Sequence, residues 1–350
     1  MKIISFIDYI QISINVIKFR RGEVLIIMNQ SINLAKKIET KHQFEFNTWK
    51  KKLMSDIARD KYLYLLLVPF ILWYIVFQYK PMAGLQIAFK DFSLFKGISS
   101  SPWIGFSHFK EFLSSEYFIR VFKNTIIINL YSLLICFPAP IVLAVLISEL
   151  KNGAFKKVTQ TLTYLPHFVS TVVVAGIVTN FLAPNNGLVN ILLDKFGFDK
   201  IYFLTKPQYF RGIFTGMNLW KETGFASIVY IAAISGIDAE LYEASKIDGA
   251  SKWQQIKNVT IPGIMPTIVI MLILKIGHLL SVGYEAIILL YQPATYETAD
   301  VISTYVYRTG LLEGRYDFAT AVGLFNSVIA LILVVIANKL SKKLSETSLW

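Results

Sequence analysis

The chain has 350 residues, a formal net charge of +12, and 54% hydrophobic but only 17% charged residues; its mean hydropathy is +0.51. A soluble protein has no place for so much apolar surface, and a disordered chain is far more polar, so the composition indicates an integral membrane protein. The single cysteine, Cys136, excludes an internal disulfide and a Cys-rich metal cluster, and the four histidines show no ligand spacing.

Residues 1–61 come first. Met1 to Ile17 is fairly apolar, but Asp8, Gln11 and Asn15 interrupt it, so it is too polar for a span and has no clean signal-peptide core. We expect the natural start nearer Met28, and a basic, partly disordered cytoplasmic segment up to residue 61. Lys50, Lys51 and Lys52 read as an interfacial anchor.

Six apolar runs follow, each near the roughly 20 residues that a helix needs to cross a bilayer. They are Tyr62–Tyr79, Asn124–Ser148, Val158 to about Leu182, Gly212–Ile237, Gly263 to about Gly283, and Phe318–Asn338. Their length and lack of alternation argue against strands. The fold class is an all-α membrane protein with six transmembrane helices, forming one domain over 62–340 and a short tail over 341–350. Pro69, Pro138, Pro140 and Pro166 fall in or near the runs; they are either bends around a cavity or ordinary packing kinks. Gly212 and Gly216, spaced G-x-x-x-G, predict close helix contact.

Six spans put both termini on one side. With the amino terminus inside, the inner segments carry roughly twice the Lys and Arg of the outer ones. Both termini are therefore expected in the cytoplasm. The positive charge reads as a topology signal with attraction to anionic lipid, and nucleic acid is not needed to explain it. The outer segment 80–117 is rich in aromatics and is expected to pack on the membrane face or meet an extracytoplasmic partner.

No phosphate-cradling G-x-x-x-x-G-K-[ST], no H-E-x-x-H and no G-x-S-x-G is present, and no acid pair or nucleophile–base arrangement stands out. No catalytic residue, metal or cofactor is expected in this chain.

The informative loop lies between runs four and five, over 238–262. Asp238 suits an N-cap, and Glu240 sits where the helix dipole favours an acid. Leu241, Ala244 and Ile247 recur at spacing three as one narrow apolar stripe. Gly249 can take the left-handed conformation that ends a helix, and Ser251 with Gln254 fits a capping box for a second one. A short helix, a glycine turn and a second helix result, and the exposed stripe wants a groove on a partner.

This segment resembles the EAA loop of permease subunits in binding-protein-dependent ABC importers, whose pattern is E-A-A, three residues, G, nine residues, I-x-L-P. Here Glu243, Ala244 and Ser245 precede Gly249, and Val259, Thr260, Ile261 and Pro262 follow at the same spacing. The departures are Ser245 for Ala, Val259 for Ile and Ile261 for Leu. Further stretches, among them YKPMAGLQIAFKDF (79–92), YLPHFVSTVVVAGIV (164–178) and FATAVGLF (318–325), resemble the carbohydrate branch, in particular its oligosaccharide or polysaccharide subgroup. The resemblance covers nearly everything after Lys61.

The resemblance implies a multi-pass permease in a bacterial cytoplasmic membrane, paired with a second permease subunit. It implies two ATP-binding cassette subunits that bind ATP and Mg, and an extracytoplasmic sugar-binding protein. Glu243, Ala244 and Gly249 would belong to the element that docks on the ATPase, with Ser245 inside the motif and Lys246 and Asp248 at its rim. The residues agree with that role: Ala244 is small enough for a groove, and Glu243 offers a charge-assisted contact.

A sugar path needs polar groups near the midplane, with aromatic faces beside them. Counted along ideal helices, Lys221 lies about 14 Å, Asn326 about 12 Å and Lys275 about 18 Å from their respective membrane faces. Trp220, Lys221, Glu222, Phe225, Lys275 and Asn326 are therefore the pathway candidates, with Tyr230 as a further stacking ring and His278 as a neighbour of Lys275. A plainer reading keeps Lys221 and Glu222 in a water-exposed vestibule, Lys275 at a subunit interface and Asn326 as helix–helix glue. His167 and Cys136 read as structural. The rival function is an ion-coupled secondary transporter, for which Glu222 is the one acid well inside a span and the loop has no use.

Overall fold

The computed structural model describes residues 55–56, 59–277, 280 and 283–345. The expectations for residues 1–54, including the start near Met28, and for His278 lie outside the described residues. Two compact units are present, divided between Met82 and Ala83.

Among the described residues the structure is helical apart from one bridge between Lys90 and Trp103. Helix α1 (Lys61–Phe89) is long and apolar, and its side chains from Tyr62 to Met82 are exposed. Pro69 is accommodated inside it.

From Ala83 onward the second unit begins. Helix α2 (Ser107–Ser114) leads to the long helix α3 (Glu116–Glu149). Ser115 caps α3 by accepting from the Phe118 amide at 3.2 Å. Pro138 and Pro140 lie within α3, just beyond a wide turn at Ser132–Cys136. Proline lacks an amide, so the ladder widens there and the Phe137 amide reaches back to Ser132.

The run predicted as one span over Val158–Leu182 is two helices, α4 (Ala154–Phe168) and α5 (Thr171–Phe181), meeting at 100°. Pro166 tightens the last turn of α4, and Ser170 opens α5 by accepting from the Val173 amide at 3.3 Å. A cap that satisfies freed backbone groups is what allows so sharp a break. The short α6 (Leu188–Lys195) follows, then α7 (Pro207–Ser235), which starts five residues before the predicted Gly212. Next come α8 (Ala239–Ile247), bent 71° from α7, α9 (Lys252–Gly263), and α10 (Met265–Gly277), bent 60° from α9. The run predicted as Gly263–Gly283 is thus helical from Met265 to Gly277. Helices α11 (Tyr284–Leu290) and α12 (Ile302–Tyr307) lead to α13 (Tyr316–Ser345).

Among the described residues, three helices are therefore long and apolar enough to cross a membrane, and up to six if each bent pair counts as one span. Two apolar clusters hold the second unit together. One joins Ile128 of α3, Val174 of α5, Phe214 of α7 and Ile287 of α11. The other joins Phe112 of α2, Val121 of α3, Ile302 of α12 and Phe318 of α13. The buried carboxylate of Asp300 ties the segment between α11 and α12 to both. It takes two hydrogen bonds from Arg308, at 3.2 and 2.8 Å, and one from Thr304 at 2.9 Å. Asn124 of α3 donates to the Asp300 and Glu297 carbonyls and accepts from Arg211 of α7.

The close helix approach lies elsewhere than predicted. A Cβ at Gly212 or Gly216 would meet nothing, whereas one at Gly224 would collide with the Thr163 carbonyl of α4. Gly224 is fully buried against that backbone, so it is the glycine that lets α7 and α4 touch. Gly224→Ala should lower the melting temperature of the full-length chain in mild detergent, at a cost of about 1–3 kcal/mol from overpacking. Gly216→Ala should leave it unchanged, and intrinsic-fluorescence melts of the two variants separate the cases.

Candidate functional site: an exposed helical loop and a cavity between helices

The loop between α7 and α10 folds as its residues dictate. Asp238 caps α8 by accepting from the Glu240 amide at 3.0 Å. At its far end Gly249 takes φ +76°. The Gly249 amide bonds to the Lys246 carbonyl at 3.0 Å and the Ala250 amide to the Ser245 carbonyl at 2.9 Å. This pair is a Schellman turn, which needs a residue free to adopt positive φ. Ser251 and Gln254 then form the reciprocal capping box that starts α9, at 3.4 and 2.7 Å.

Two contacts fasten the loop to the helices behind it. The Tyr242 hydroxyl lies 3.0 Å from that of Thr260, joining α8 to α9. Lys252 pairs with Glu149 at the end of α3 at 2.7 Å, an exposed contact of small energetic weight. The opposite face is bare. Glu243, Ala244, Lys246, Asp248 and Gly249 are exposed and Ser245 half-buried; Leu241 is 55% and Ile247 86% exposed. The predicted stripe of Leu241, Ala244 and Ile247 therefore has no cover within the described residues.

The second feature is a cavity of about 390 Å³ between α3, α7 and α10. Its polar lining is Asn129, Ser132, Asn218, Glu222, Tyr230 and Lys275. Asn129 and Asn218 donate to carbonyls one turn back in their own helices, at 2.7 and 2.9 Å. Lys275 has no ion-pair partner among the described residues. Pro140 and Cys136 also line the cavity, the cysteine thiol lying 3.7 Å from the Thr215 carbonyl. The bend that follows the wide turn of α3 thus borders an open space.

The structure separates the predicted pathway residues. Glu222 and Lys275 meet at the cavity. Lys221, the neighbour of Glu222 in sequence, instead donates to Thr171 of α5 at 3.0 Å. Phe225 stacks on His167 with ring centroids 4.0 Å apart and planes 2° apart. Trp220 is half exposed, at 51%. Asn326 donates to the Leu280 carbonyl at 3.1 Å and lines a different cavity, beside Tyr307 and Gly323.

One connection is absent from the sequence reading. Glu222 accepts from His167 at 2.9 Å and lies 3.6 Å from Lys221. His167 closes α4 and Lys221 reaches α5, so the acid joins both arms of the 100° break to the cavity wall. Asn129, Ser132 and Asn218 were also missed, although a signal existed. Asn129, Ser132, Cys136 and Pro140 recur at spacings of three and four, and Asn218, Glu222, Ala226 and Tyr230 at spacing four. Each set is one helical face.

The chain matches the family model of the binding-protein-dependent transport system inner membrane component over residues 121–346. It is similar to the polygalacturonan/rhamnogalacturonan transport system permease protein YteP of Bacillus subtilis (strain 168), at 41% identity over 86% of this chain and 94% of that one. It is also similar to a chain in the crystal structure of a bacterial ABC transporter involved in the import of the acidic polysaccharide alginate. There the identity is 52% and the TM-score 0.79, over 84% of this chain and 99% of that one. A second crystal structure, of the bacterial alginate ABC transporter in complex with an alginate pentasaccharide-bound periplasmic protein, matches at 51% identity with the same TM-score and coverage.

Ser251→Ala should remove the capping box and cost about 0.5–2 kcal/mol of local stability. Hydrogen exchange should then speed up at the amides of Lys252–Gln255 while those of α7 stay protected.

Proposed function

Because the chain belongs to the family of binding-protein-dependent transport system inner membrane components, we propose that α8 and the turn after it transmit force from an ATPase to a sugar path through α3, α7 and α10. The protein is a permease of a sugar ABC importer, set in a membrane. The two relatives are named for transport of polygalacturonan/rhamnogalacturonan and for import of the acidic polysaccharide alginate, and the proposed cargo is an acidic oligosaccharide. No observation favours the ion-coupled alternative.

The single observation that carries the coupling role is the bare outer face of α8. A helix held from behind by Tyr242 and by its own caps, yet presenting Leu241, Ala244 and Ile247 to solvent, is an element waiting for a groove. In the proposed arrangement each bent pair is one span, giving six, with the loop and both termini in the cytoplasm. Glu243, Ala244, Ser245, Lys246, Asp248 and Gly249 meet one of two ATP-binding cassette subunits, which hold the ATP and Mg. A second permease subunit and an extracytoplasmic sugar-binding protein complete the complex. Closure of the ATPases would move α8 as a rigid body and tilt α7 and α10, which flank it.

For the path, the cavity bounded by Glu222 and Lys275 supplies the donors and acceptors that a sugar requires, and Tyr230 the ring face. Trp220, Lys221, Phe225 and Asn326 would act from around it, Lys221 and Phe225 through the tie between Glu222 and His167.

Gly249→Pro, which removes the amide that closes the Schellman turn, and Glu243→Lys should each abolish ATP-dependent sugar uptake in cells while the chain still inserts. Both should lose the ATPase in a mild-detergent pull-down. Uptake at the parental rate in either variant would refute the coupling role.

A further inference from the structure

A second polar cavity, of about 440 Å³, lies away from the one between α3, α7 and α10. Tyr117, Arg120, Tyr296, Tyr305, Arg308 and Arg315 line it, with Thr309 and Glu313. These residues come from the start of α3 and from the segment between α11 and α13, which the proposed topology puts on the extracytoplasmic face. The lining combines three guanidinium groups with three phenol rings, a pairing suited to a ring that carries both an apolar face and a carboxylate.

The charges are not equivalent. Arg308 is committed to the buried Asp300 through two hydrogen bonds and lies over the Tyr296 and Tyr305 rings, 5.1 and 5.6 Å from their centroids. Burial opposes its charge, but the hydrogen bonds and attraction of Asp300 outweigh that and hold the guanidinium above its ordinary range. Arg315 pairs with Glu111 at 2.6 Å. Arg120 is the under-used cation. It reaches Asp300 only at 3.4 Å, its buried Nε has no hydrogen-bond partner, its side chain is 33% exposed, and it lies 5.1 Å from the Tyr117 centroid. Asp300 is already satisfied without it, so Arg120 keeps bonding capacity for an incoming anion. Glu313 is exposed at the rim and opposes such an anion.

We infer that this cavity is an entry subsite for a uronate residue of an acidic oligosaccharide, with Arg120 binding the sugar carboxylate beside the Tyr117 ring, over which its guanidinium already lies. The volume has room for about one or two sugar rings. The site rests on the sugar-importer reading above but makes no use of the coupling loop. It would collect the anionic cargo before the path through α3, α7 and α10 opens.

The test uses the full-length chain in phosphatidylcholine nanodiscs, with trigalacturonate and its carboxyl-reduced, neutral counterpart as probes in equilibrium binding. The parent should bind trigalacturonate more tightly than the neutral trisaccharide. Arg120→Gln should weaken trigalacturonate binding about tenfold, the scale of one charge-assisted contact. Arg120→Lys should weaken it less, and Glu313→Gln should strengthen it. Arg308 still holds Asp300 in every variant, and an unchanged melting temperature shows that the fold is kept. Gly249→Pro should bind like the parent, so failure of the coupling reading would leave this result standing. Equal affinity for the two trisaccharides, or no loss in Arg120→Gln, overturns the subsite. So does a parent whose retained phosphatidylglycerol, and not its saccharide binding, depends on Arg120, since that marks a lipid headgroup site.

Discussion

In hydrocarbon a backbone amide or carbonyl has no water to turn to, so each must be satisfied within its own helix or by a side chain. Three departures from straight helix among the described residues leave no backbone group stranded. Where Pro138 withdraws an amide, α3 widens by one residue and closes the ring from Phe137 to Ser132. Where α4 stops, Pro166 has no amide to satisfy and its carbonyl accepts from the Val169 amide, and the Ser170 hydroxyl accepts from the Val173 amide of α5. Where α8 stops, Gly249 allows two carbonyls to be capped at once. The bends then decide where open space can exist, because straight helices with these apolar faces would close against one another.

This is why the loop was legible in the sequence and the cavity was not. Asp238, Gly249, Ser251 and Gln254 act on neighbours within five residues, and caps of that range are written in residue type and spacing. The spans were legible for a similar reason, since length and apolarity are local properties. The 100° break was hidden because Pro166 inside an apolar run is equally compatible with a kink. The join between His167 and Glu222 spans 55 residues, and no periodicity connects them. Counting depth along ideal helices placed Asn326 beside Lys275, but depth says nothing about azimuth, and Asn326 turns toward Leu280. The better signal was the polar face itself: Asn129 with Ser132 and Cys136, and Asn218 with Glu222, each lie on one side of a helix.

The two polar regions of the second unit handle charge in different ways. Around Asp300 the acid is fully buried, and the basic groups outnumber it. Removing a partner from a buried carboxylate costs far more than the pair contributes, so this network works as a fixed clamp between α3, α7 and the segment before α12. Around Glu222 the groups are only partly buried: its side chain is 47% exposed and that of His167 31%. Such contacts are weaker and can be exchanged. A region that must rearrange during each transport cycle is better served by the second kind and a region that only holds shape by the first.

The geometry also explains how a surface loop can act on the cavity. Helix α7 has 29 residues and is about 43 Å long at 1.5 Å per residue. It carries Asn218, Glu222 and Tyr230 on the cavity side and runs without a break to the turn before α8. On the other side of the loop, α9 is joined to α8 through Tyr242 and Thr260 and leads through a 60° bend into α10, which carries Lys275. In the proposed coupling, a displacement of α8 would reach two walls of the same cavity, one through α7 and one through α9 and α10. Gly224, packed against the Thr163 carbonyl, provides a bearing where α7 rests on α4, and Glu222 lies two residues away. A tilt of α7 about that contact, as the proposed coupling requires, would bear on the contacts of Glu222 with His167 and Lys221. The exchangeable charge cluster thus lies beside the contact about which the proposed motion would turn.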